Sequence, residues 1–405
     1  MSTAVRAWVA GLSAVGLLSV GVLPSPSPRA VTAQPSASPA SVVMRDPQPP
    51  RAAARAHVAL VRPAARTFRL HTRARAAVTI YLDFTGSTTE NTRWNEAYTG
   101  GDVIDSTPFD LDGDPTSWST TEDAWIQQVW LAVAEDFSPF AVDVTTQPPG
   151  TAALRYGRPG DPRYGVRVVI SPDHAWYSTR LTGGVAQIGS TGVLITPRGV
   201  DEPAFVFATG AMLTSATYLA DAASHEVGHT FGLWHDGVLP ESPTSNSGYT
   251  TGNGTWGPLM GAPYADAYSQ WSNGDYPDAN NHEDDLDIIA AHAGRAVDEP
   301  DLRALEDAGQ LAGTISAPDD VDRVQVVVRS PATVTLVLGN AVGPPVADLE
   351  PRLVLRDPSG AVLASQTGSG GDPASVELAL EPGRYLVEVS GAGDDQVPGY
   401  GSLGR

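Results

Sequence analysis

The spacing of hydrophobic residues divides the chain into two regions with different predicted folds. From residue 76 to residue 297, strand-like hydrophobic runs alternate with helical patterns, which indicates an α/β (α+β) domain. From residue 310 to residue 405, hydrophobic and polar positions alternate with period two, which is typical of strands that bury one face. The second region is therefore predicted to be an all-β sandwich.

Local patterns predict the individual elements of the first region. Ser119 and Glu122 form a capping box, and large hydrophobic residues follow at helical spacing up to Phe137, which predicts a helix. A second helix is predicted over 216–232, with Thr214 or Ser215 as its N-cap. Strands are predicted at 78–84, 142–145, 166–170 and, flanked by glycine, 184–189.

Residues 298–309 are predicted to link the two regions, because the segment begins with the polar run Asp298-Glu-Pro-Asp. Farther along, the turn sequence Asp357-Pro-Ser-Gly separates the hydrophobic runs 353–355 and 361–364. This arrangement predicts a β-hairpin within the sandwich.

The most specific chemical signal lies in the second predicted helix. His225, Glu226, His229, Gly232 and His235 form the string H-E-x-x-H-x-x-G-x-x-H. The first two histidines lie one helical turn apart on one face and can hold one Zn²⁺, with the glutamate beside them as general base. The glycine permits a left-handed turn that delivers the third histidine and leaves a fourth position for water. An ordinary pair of helical histidines is the alternative, but five fixed positions make a chance match rare.

This string resembles that of the metzincin zinc metalloendopeptidases. The aspartate that follows the third histidine, Asp236, resembles the residue at that position in the reprolysin/adamalysin branch. The resemblance implies that His225, His229 and His235 bind zinc, that Glu226 is the catalytic acid/base and that Asp236 is a buried structural carboxylate. It also implies a twisted, mostly parallel sheet, an active-site helix and a Met-turn below the metal.

Further site residues are expected from the same resemblance. Met260, between glycine and proline residues, is predicted to be the Met-turn methionine. The edge strand that includes Gly184, Val185 and Ala186 is a candidate for main-chain pairing with substrate, an ordinary edge strand being the alternative. Tyr264 stands four residues after Met260, so it is predicted to line the pocket, with a role as transition-state donor as the second option.

The second region resembles the pre-peptidase C-terminal domains of secreted bacterial proteases. Five segments carry the resemblance: 313–316, 319–322, 353–364, 381–385 and 400–404.

The N-terminal sequence is typical of a secreted protein. Residues 1–33 read as a Sec-type signal peptide, with Arg6 before an apolar run and small residues at 31–33. Residues 34–75 are rich in Pro, Ala and Arg and are predicted to be disordered alone, either as a propeptide or as a mere spacer. All 25 basic residues of the chain are arginine, and ten of them lie in residues 1–75 with one acid, Asp46. Those residues carry +9 and the remainder −30, so charge could hold a propeptide in cis until cleavage near Arg73 and Arg75.

The chain contains no cysteine, which excludes disulfides, lipid attachment through cysteine and a cysteine-based latency switch. Bound Ca²⁺ is one alternative route to stability. Asp110, Asp112 and Asp114 alternate like the start of a calcium loop, although Pro115 and Thr121 exclude an EF-hand. An irregular calcium site and a solvated turn both remain open.

The sequence therefore predicts a secreted, zinc-dependent metalloendopeptidase that acts on protein or peptide substrates and is made as a zymogen. A non-catalytic surface- or polymer-binding protein on the same scaffold is one alternative, and a hydrolase of cell-wall amide bonds is another. The acidic remainder argues against nucleic acid as a partner, and no segment is long and apolar enough to predict a membrane span. We expect a monomer from a GC-rich bacterial genome, the latter on composition alone.

Overall fold

The computed structural model describes the backbone of residues 5–7 and residues 46–49, 59–192, 202–240, 248–298, 302–305, 309–342, 346–368, 372–393 and 399–405. The predicted signal peptide lies outside these ranges apart from residues 5–7, and so does its predicted cleavage site. Of the predicted propeptide or spacer, residues 46–49 and 59–75 are described.

Apart from residues 5–7, which pair with residues 334–336 of the second region, the regular elements up to residue 298 form a mixed α/β arrangement with several sheets. In chain order they are β1 (Val5–Ala7), β2 (Val78–Asp83), β3 (Ser87–Thr89), α1 (Arg93–Tyr98), β4 (Ile104–Ser106), α2 (Thr120–Asp136), β5 (Val142–Thr145), β6 (Tyr164–Ser171), β7 (Gly184–Val185), β8 (Ala204–Phe207), α3 (Ala216–Phe231), β9 (Trp256–Pro258), β10 (Tyr268–Gln270) and α4 (Asp285–Ala293). Short 3₁₀ helices span Ala64–Arg69, Thr151–Ala153 and Gly210–Thr214.

The central sheet has the strand order β5-β2-β6-β8-β7. Its first four strands are parallel, and the two-residue edge strand β7 is antiparallel to β8. The predicted strands are confirmed, although the one at 184–189 is reduced to Gly184–Val185. Strand β8 was not predicted from the sequence, and it separates the edge strand from the rest of the sheet.

Two helices pack on this sheet as their apolar stripes require. The capping box of α2 is confirmed, since the Ser119 and Glu122 side chains each accept from the backbone of the other. Helix α3 begins after Ser215, whose side chain accepts the N–H of Thr217, and it ends at Gly232 with φ of 117°. Buried hydrophobic side chains from both helices and from the sheet pack together in one hydrophobic core.

Residues 64–75 pack against the first region and extend it. Thr67 and Leu70 are buried, and Thr72 pairs with the backbone of β5. The Arg73 guanidinium donates to the carbonyls of Ser138 and Phe140, and His71 contacts Asp143 at 2.8 Å. Within the predicted propeptide or spacer, this stretch is thus part of the packed structure, while Ala74 and Arg75 stay exposed.

The second region is built from strands in two sheets. They are β11 (Leu302–Leu305), β12 (Asp322–Val328), β13 (Ala332–Leu338), β14 (Pro351–Arg356), β15 (Val362–Thr367), β16 (Ala374–Leu380) and β17 (Gly383–Gly391). One sheet has the order β11-β12-β17-β14-β15, and the other has the order β1-β13-β16. Alternate buried residues of both sheets form a separate hydrophobic cluster, which is compatible with a β-sandwich.

Two details of the second region bear on its predicted limits. Strands β14 and β15 are antiparallel, which confirms the predicted hairpin. Strand β11 lies inside the stretch 298–309 that the sequence suggested as a linker, and it pairs in parallel with β12. The sandwich therefore starts before residue 310.

The two regions share buried surface. Ile315, Val346, Leu349 and Leu403 belong to the same hydrophobic core as the central sheet. At the chain end, Arg405 pairs with the buried Glu135 of α2 at 3.0 Å. The second region is therefore packed against the first rather than tethered loosely beside it.

Among the described residues, none of the helices is both long and apolar enough to cross a membrane.

Candidate metal and catalytic site

Three histidine side chains converge at the end of α3. The Nε2 atoms of His225 and His229 are 3.1 Å apart, and those of His229 and His235 are 2.9 Å apart. Two ligands of one tetrahedral zinc, each about 2.0–2.1 Å from it, lie about 3.3 Å apart. The observed separations therefore fit ligation of a single small cation.

Hydrogen bonds on the far side of two rings fix the atoms that face the centre. Nδ1 of His225 is 2.7 Å from the Leu259 carbonyl, and Nδ1 of His229 is 2.8 Å from the Leu233 carbonyl. A carbonyl can only accept, so each Nδ1 carries a proton and, in the neutral ring, Nε2 offers its lone pair. Lone pairs directed at each other from about 3 Å repel, and a cation between them removes the repulsion.

Burial keeps two of the three rings neutral. It lowers the pKa of His229 and lowers that of His235 to about 4. Burial also lowers the pKa of His225, but the neighbouring Asp46 carboxylate outweighs it and raises the value. Neutral imidazole is the form that binds metal.

The helix and the turn below it hold the ligands in place. Met260 is fully buried under α3, and a Cβ added to Gly228 would lie 2.6 Å from its sulfur. The turn closes through a hydrogen bond from Gly261 N–H to the Pro258 carbonyl. Asp236 is also buried, and its backbone N–H donates to the Met260 carbonyl, so the chain after the third histidine is tied to this turn.

Glu226 occupies the position next to the first ligand. It is fully buried, and among the described residues neither carboxylate oxygen makes a hydrogen bond of ordinary geometry, although the Asp46 carboxyl is close enough to interact with it. Burial, and then the charge of Asp46, raise the pKa of Glu226 well above its usual value. A buried carboxyl without a well-formed hydrogen bond is costly, and here it faces the space beside the three histidines.

Asp46 completes the group and was not predicted as a site residue. Its Oδ1 is 3.2, 4.0 and 3.0 Å from Nε2 of His225, His229 and His235. These four residues form a buried group with the spacing of a metal site. Burial would raise the pKa of Asp46, yet the charge of His225 and nearby polar groups hold it well below its usual range. The available signal was that Asp46 is the one acid in the first 75 residues.

Two tyrosines border the site. The Tyr249 hydroxyl donates to Asp46 Oδ1 at 2.7 Å, and its ring centroid is 4.2 Å from that of His235. Tyr264, the predicted pocket residue, donates to the Pro47 carbonyl at 3.4 Å. Burial raises the pKa of both hydroxyls, so both are donors at neutral pH. Tyr249 was not predicted, because nothing in its spacing distinguishes it from other loop tyrosines.

Of the three predicted edge-strand residues, one lies beside Glu226 and two are buried in hydrophobic clusters. Gly184 lies directly beside the catalytic candidate, since a Cβ there would be 2.1 Å from Glu226 Oε1. Val185 is buried in an aromatic cluster with Phe205 and Phe207, and Ala186 is buried in the main core. The side chains of Val185 and Ala186 therefore pack inward, and a contact with substrate would have to use their backbone.

The acidic loop before α2 is arranged differently from its prediction. The structure groups Asp110 and Asp112 with Glu122, the three carboxylates lying within metal-ligand spacing. Asp114 instead accepts from Thr116 and Ser117 in a local turn. Asp110 and Asp112 also accept backbone N–H groups of the loop, so the solvated turn accounts for these contacts without an ion.

Comparison with known proteins adds a distant likeness. No protein-family model matches the chain, and no curated protein matches it. Among solved structures, the chain is similar to the pre-peptidase C-terminal domain of a collagenase from Bacillus anthracis. The likeness has 17% sequence identity and a TM-score of 0.18, and it covers 24% of this chain and 90% of that domain. At this score the likeness carries no argument about fold or function.

Proposed function

We propose that this protein is a secreted, zinc-dependent metalloendopeptidase of metzincin type. The observation that supports the proposal is the convergence of three histidine Nε2 atoms beside a buried glutamate. Secretion rests on the sequence of residues 1–33.

His225, His229 and His235 would hold the metal, and their nitrogen donors in a small buried cage suit zinc. When bound, zinc supplies Lewis acidity toward a carbonyl and toward water at neutral pH.

Glu226 performs the proton transfers in this proposal. It takes a proton from the attacking water as the oxygen bonds to the scissile carbon, and it passes that proton to the nitrogen of the departing amine. The hydroxyls of Tyr249 and Tyr264 are protonated donors at the rim and could orient a substrate carbonyl. Burial of Glu226 supports a proton-transfer role, because a carboxyl whose pKa is raised is a stronger base once it is ionised.

The intact glutamate favours an enzyme over a non-catalytic binding protein. A zinc site that only supports a scaffold has no need for a buried carboxyl beside its ligands, and such a carboxyl destabilises the fold when it lacks a partner.

Casein hydrolysis by the zinc-loaded protein tests the proposal. Because Asp46 lies at the fourth position, the assay uses the Asp46→Ala protein and compares it with Asp46→Ala/Glu226→Gln. We expect cleavage by the first and at least a hundredfold slower cleavage by the second, with one zinc per chain in both. Equal cleavage by the two proteins would reject Glu226 as the base, and absence of bound zinc in both would reject the metal site.

A further inference from the structure

Residues 46–49 lie across the histidine cluster, far in sequence from everything they contact. The Asp46 carbonyl accepts the N–H of Gly183 at 3.0 Å and also the hydroxyl of Thr182. The next carbonyl, that of Pro47, is contacted by Tyr264. The segment is therefore held by its backbone beside residues 182–183, directly before strand β7.

The Asp46 side chain takes the place that a fourth ligand requires. Oδ1 is about as far from Nε2 of His225 and His235 as those nitrogens are from Nε2 of His229. The four donor atoms all lie within 4.8 Å of one another. A carboxylate oxygen is an ordinary ligand for zinc, and a fourth protein ligand turns a centre with an open position into a closed one.

The Gln48 side chain anchors the segment a few residues away from the histidines. Its amide nitrogen donates to the carbonyls of Thr209 at 3.0 Å and Thr182 at 3.3 Å. Its amide oxygen accepts the N–H of Ala211 at 3.2 Å. Two carbonyls and one N–H match the two donors and one acceptor of a carboxamide, and a Cβ on Gly210 would lie 2.7 Å from that oxygen.

Residues 46–49 therefore fit the site at two points, through the Asp46 carboxylate at the histidines and through the Gln48 side chain at Thr209 and Ala211. We propose that residues 46–49 are an inhibitory segment in which the Asp46 carboxylate is the fourth metal ligand and Gln48 is the anchor. This inference rests on the proposed zinc site. The segment excludes water from the position beside Glu226, so the enzyme stays latent while the segment is attached.

Covalent attachment explains why so short a segment can close the site. A tethered ligand acts at an effective concentration in the millimolar range, which is lost when the tether is cut. The packed stretch 64–75 remains with the body, so cleavage that separates residues 46–49 from it would release the inhibitor without removing Leu70 from the core.

The test measures access to the metal rather than activity. The full-length protein, Asp46→Ala, Asp46→Asn, Gln48→Ala and the control Asp105→Asn are each loaded with zinc, and metal content is measured. Asp105 is an exposed carboxylate in the same domain, bonded to Thr88 on the surface. Binding of acetohydroxamate, a small bidentate zinc ligand, is then titrated, and the visible spectrum of each Co²⁺-substituted protein is recorded.

We expect both Asp46 variants to bind acetohydroxamate at least tenfold more tightly than the full-length protein does. The affinity of Gln48→Ala for acetohydroxamate should lie between that of the unsubstituted protein and that of the Asp46 variants. The affinity of Asp105→Asn should match that of the unsubstituted protein. The Co²⁺ spectrum should change on substitution of Asp46, because a water replaces a carboxylate. Thermal unfolding of each variant identifies any that misfolds.

Two results would overturn the inference, and they are distinguishable. If the full-length protein and both Asp46 variants hold one metal, bind acetohydroxamate equally and share one Co²⁺ spectrum, Asp46 is not a ligand although the zinc site stands. If no protein in the series binds metal, the proposed function fails and the inference fails with it.

Discussion

At the residue scale, the proposed chemistry of the site depends on how closely Gly184 approaches Glu226. The zinc string was readable from the sequence because its spacing is local to one helix and its terminal turn. The approach of Gly184, the donor Tyr249 and the ligand candidate Asp46 were not readable, because they come from segments up to 203 residues apart in the chain. Only the fold brings them together, and no local pattern encodes that contact.

Substitution of Gly184 by alanine should impair catalysis while sparing the metal. The added Cβ would lie 2.1 Å from Glu226 Oε1 and 2.8 Å from its Cδ, so the carboxyl must move. In the Asp46→Ala background, we expect casein cleavage to fall by about ten- to a hundredfold, since misplacing a catalytic group by about 1 Å has effects of that size. Zinc content should remain at one per chain.

Gly157→Ala is the matched control for this substitution, because its added Cβ would make only an ordinary contact with Asp161 at 3.4 Å. Unchanged cleavage by Gly184→Ala, or loss of its zinc, would contradict the role given to this approach.

At the scale of elements, the sequence predicted those with strong local signals and missed those without. The capping box of α2 and the alternation in β12 and β17 are such signals. Strand β8 is a run of four buried residues, Ala204–Phe207, and so short an apolar run has no period that separates a strand from a helix. Its neighbour β7 is only two residues long, so the sequence could suggest an edge strand there but not its partner.

The end of α3 is the element boundary on which the third ligand depends. Gly232 has φ of 117°, a conformation that costs a residue with a Cβ about 1–2 kcal/mol. Its turn places the Leu233 carbonyl against His229 Nδ1 and directs the chain to His235. We expect Gly232→Ala to lower the free energy of unfolding of the metal-free protein by about 1–2 kcal/mol in urea.

Zinc affinity of Gly232→Ala should also fall, since two of the three ligands are positioned by this turn. Gly232→Asn is the informative comparison, because asparagine tolerates left-handed backbone better than alanine and should lose less on both measurements. Equal losses for the two variants would show that the backbone angle is not the cause.

At the scale of the whole molecule, the packing between the two regions buries acids whose proximity no sequence pattern predicts. Asp136 at the end of α2 shares a hydrogen bond with Asp348 of the second region and accepts from Ser224 of α3. Asp348 also lies near Glu135 and Asp221, and burial raises its pKa well above the usual value. Composition indicated only that the chain after residue 75 is acidic, whereas this cluster forms only where the second region meets the helices.

This cluster should make the fold less stable as pH rises. Burial raises the pKa of Asp136 to about 7, whereas the unfolded chain has its usual value of 3.8. Between these values the folded protein keeps a proton that the unfolded chain has released. The free energy of unfolding contributed by Asp136 is therefore fully present below about pH 4 and is lost as pH rises toward 7, by up to about 1.4 kcal/mol per pH unit.

Asp136→Asn keeps the shape and the hydrogen-bonding atoms of this side chain but cannot ionise. We expect it to be more stable than the unsubstituted protein in urea at pH 8, similar at pH 4, and to show a shallower decline between them. Asp105→Asn, which changes an exposed carboxylate, should leave the decline unaltered. A decline that is equally steep with asparagine at position 136 would mean that Asp136 is ionised in the folded state. The hydrogen bond between the two regions would then be donated by a protonated Asp348 to the Asp136 carboxylate.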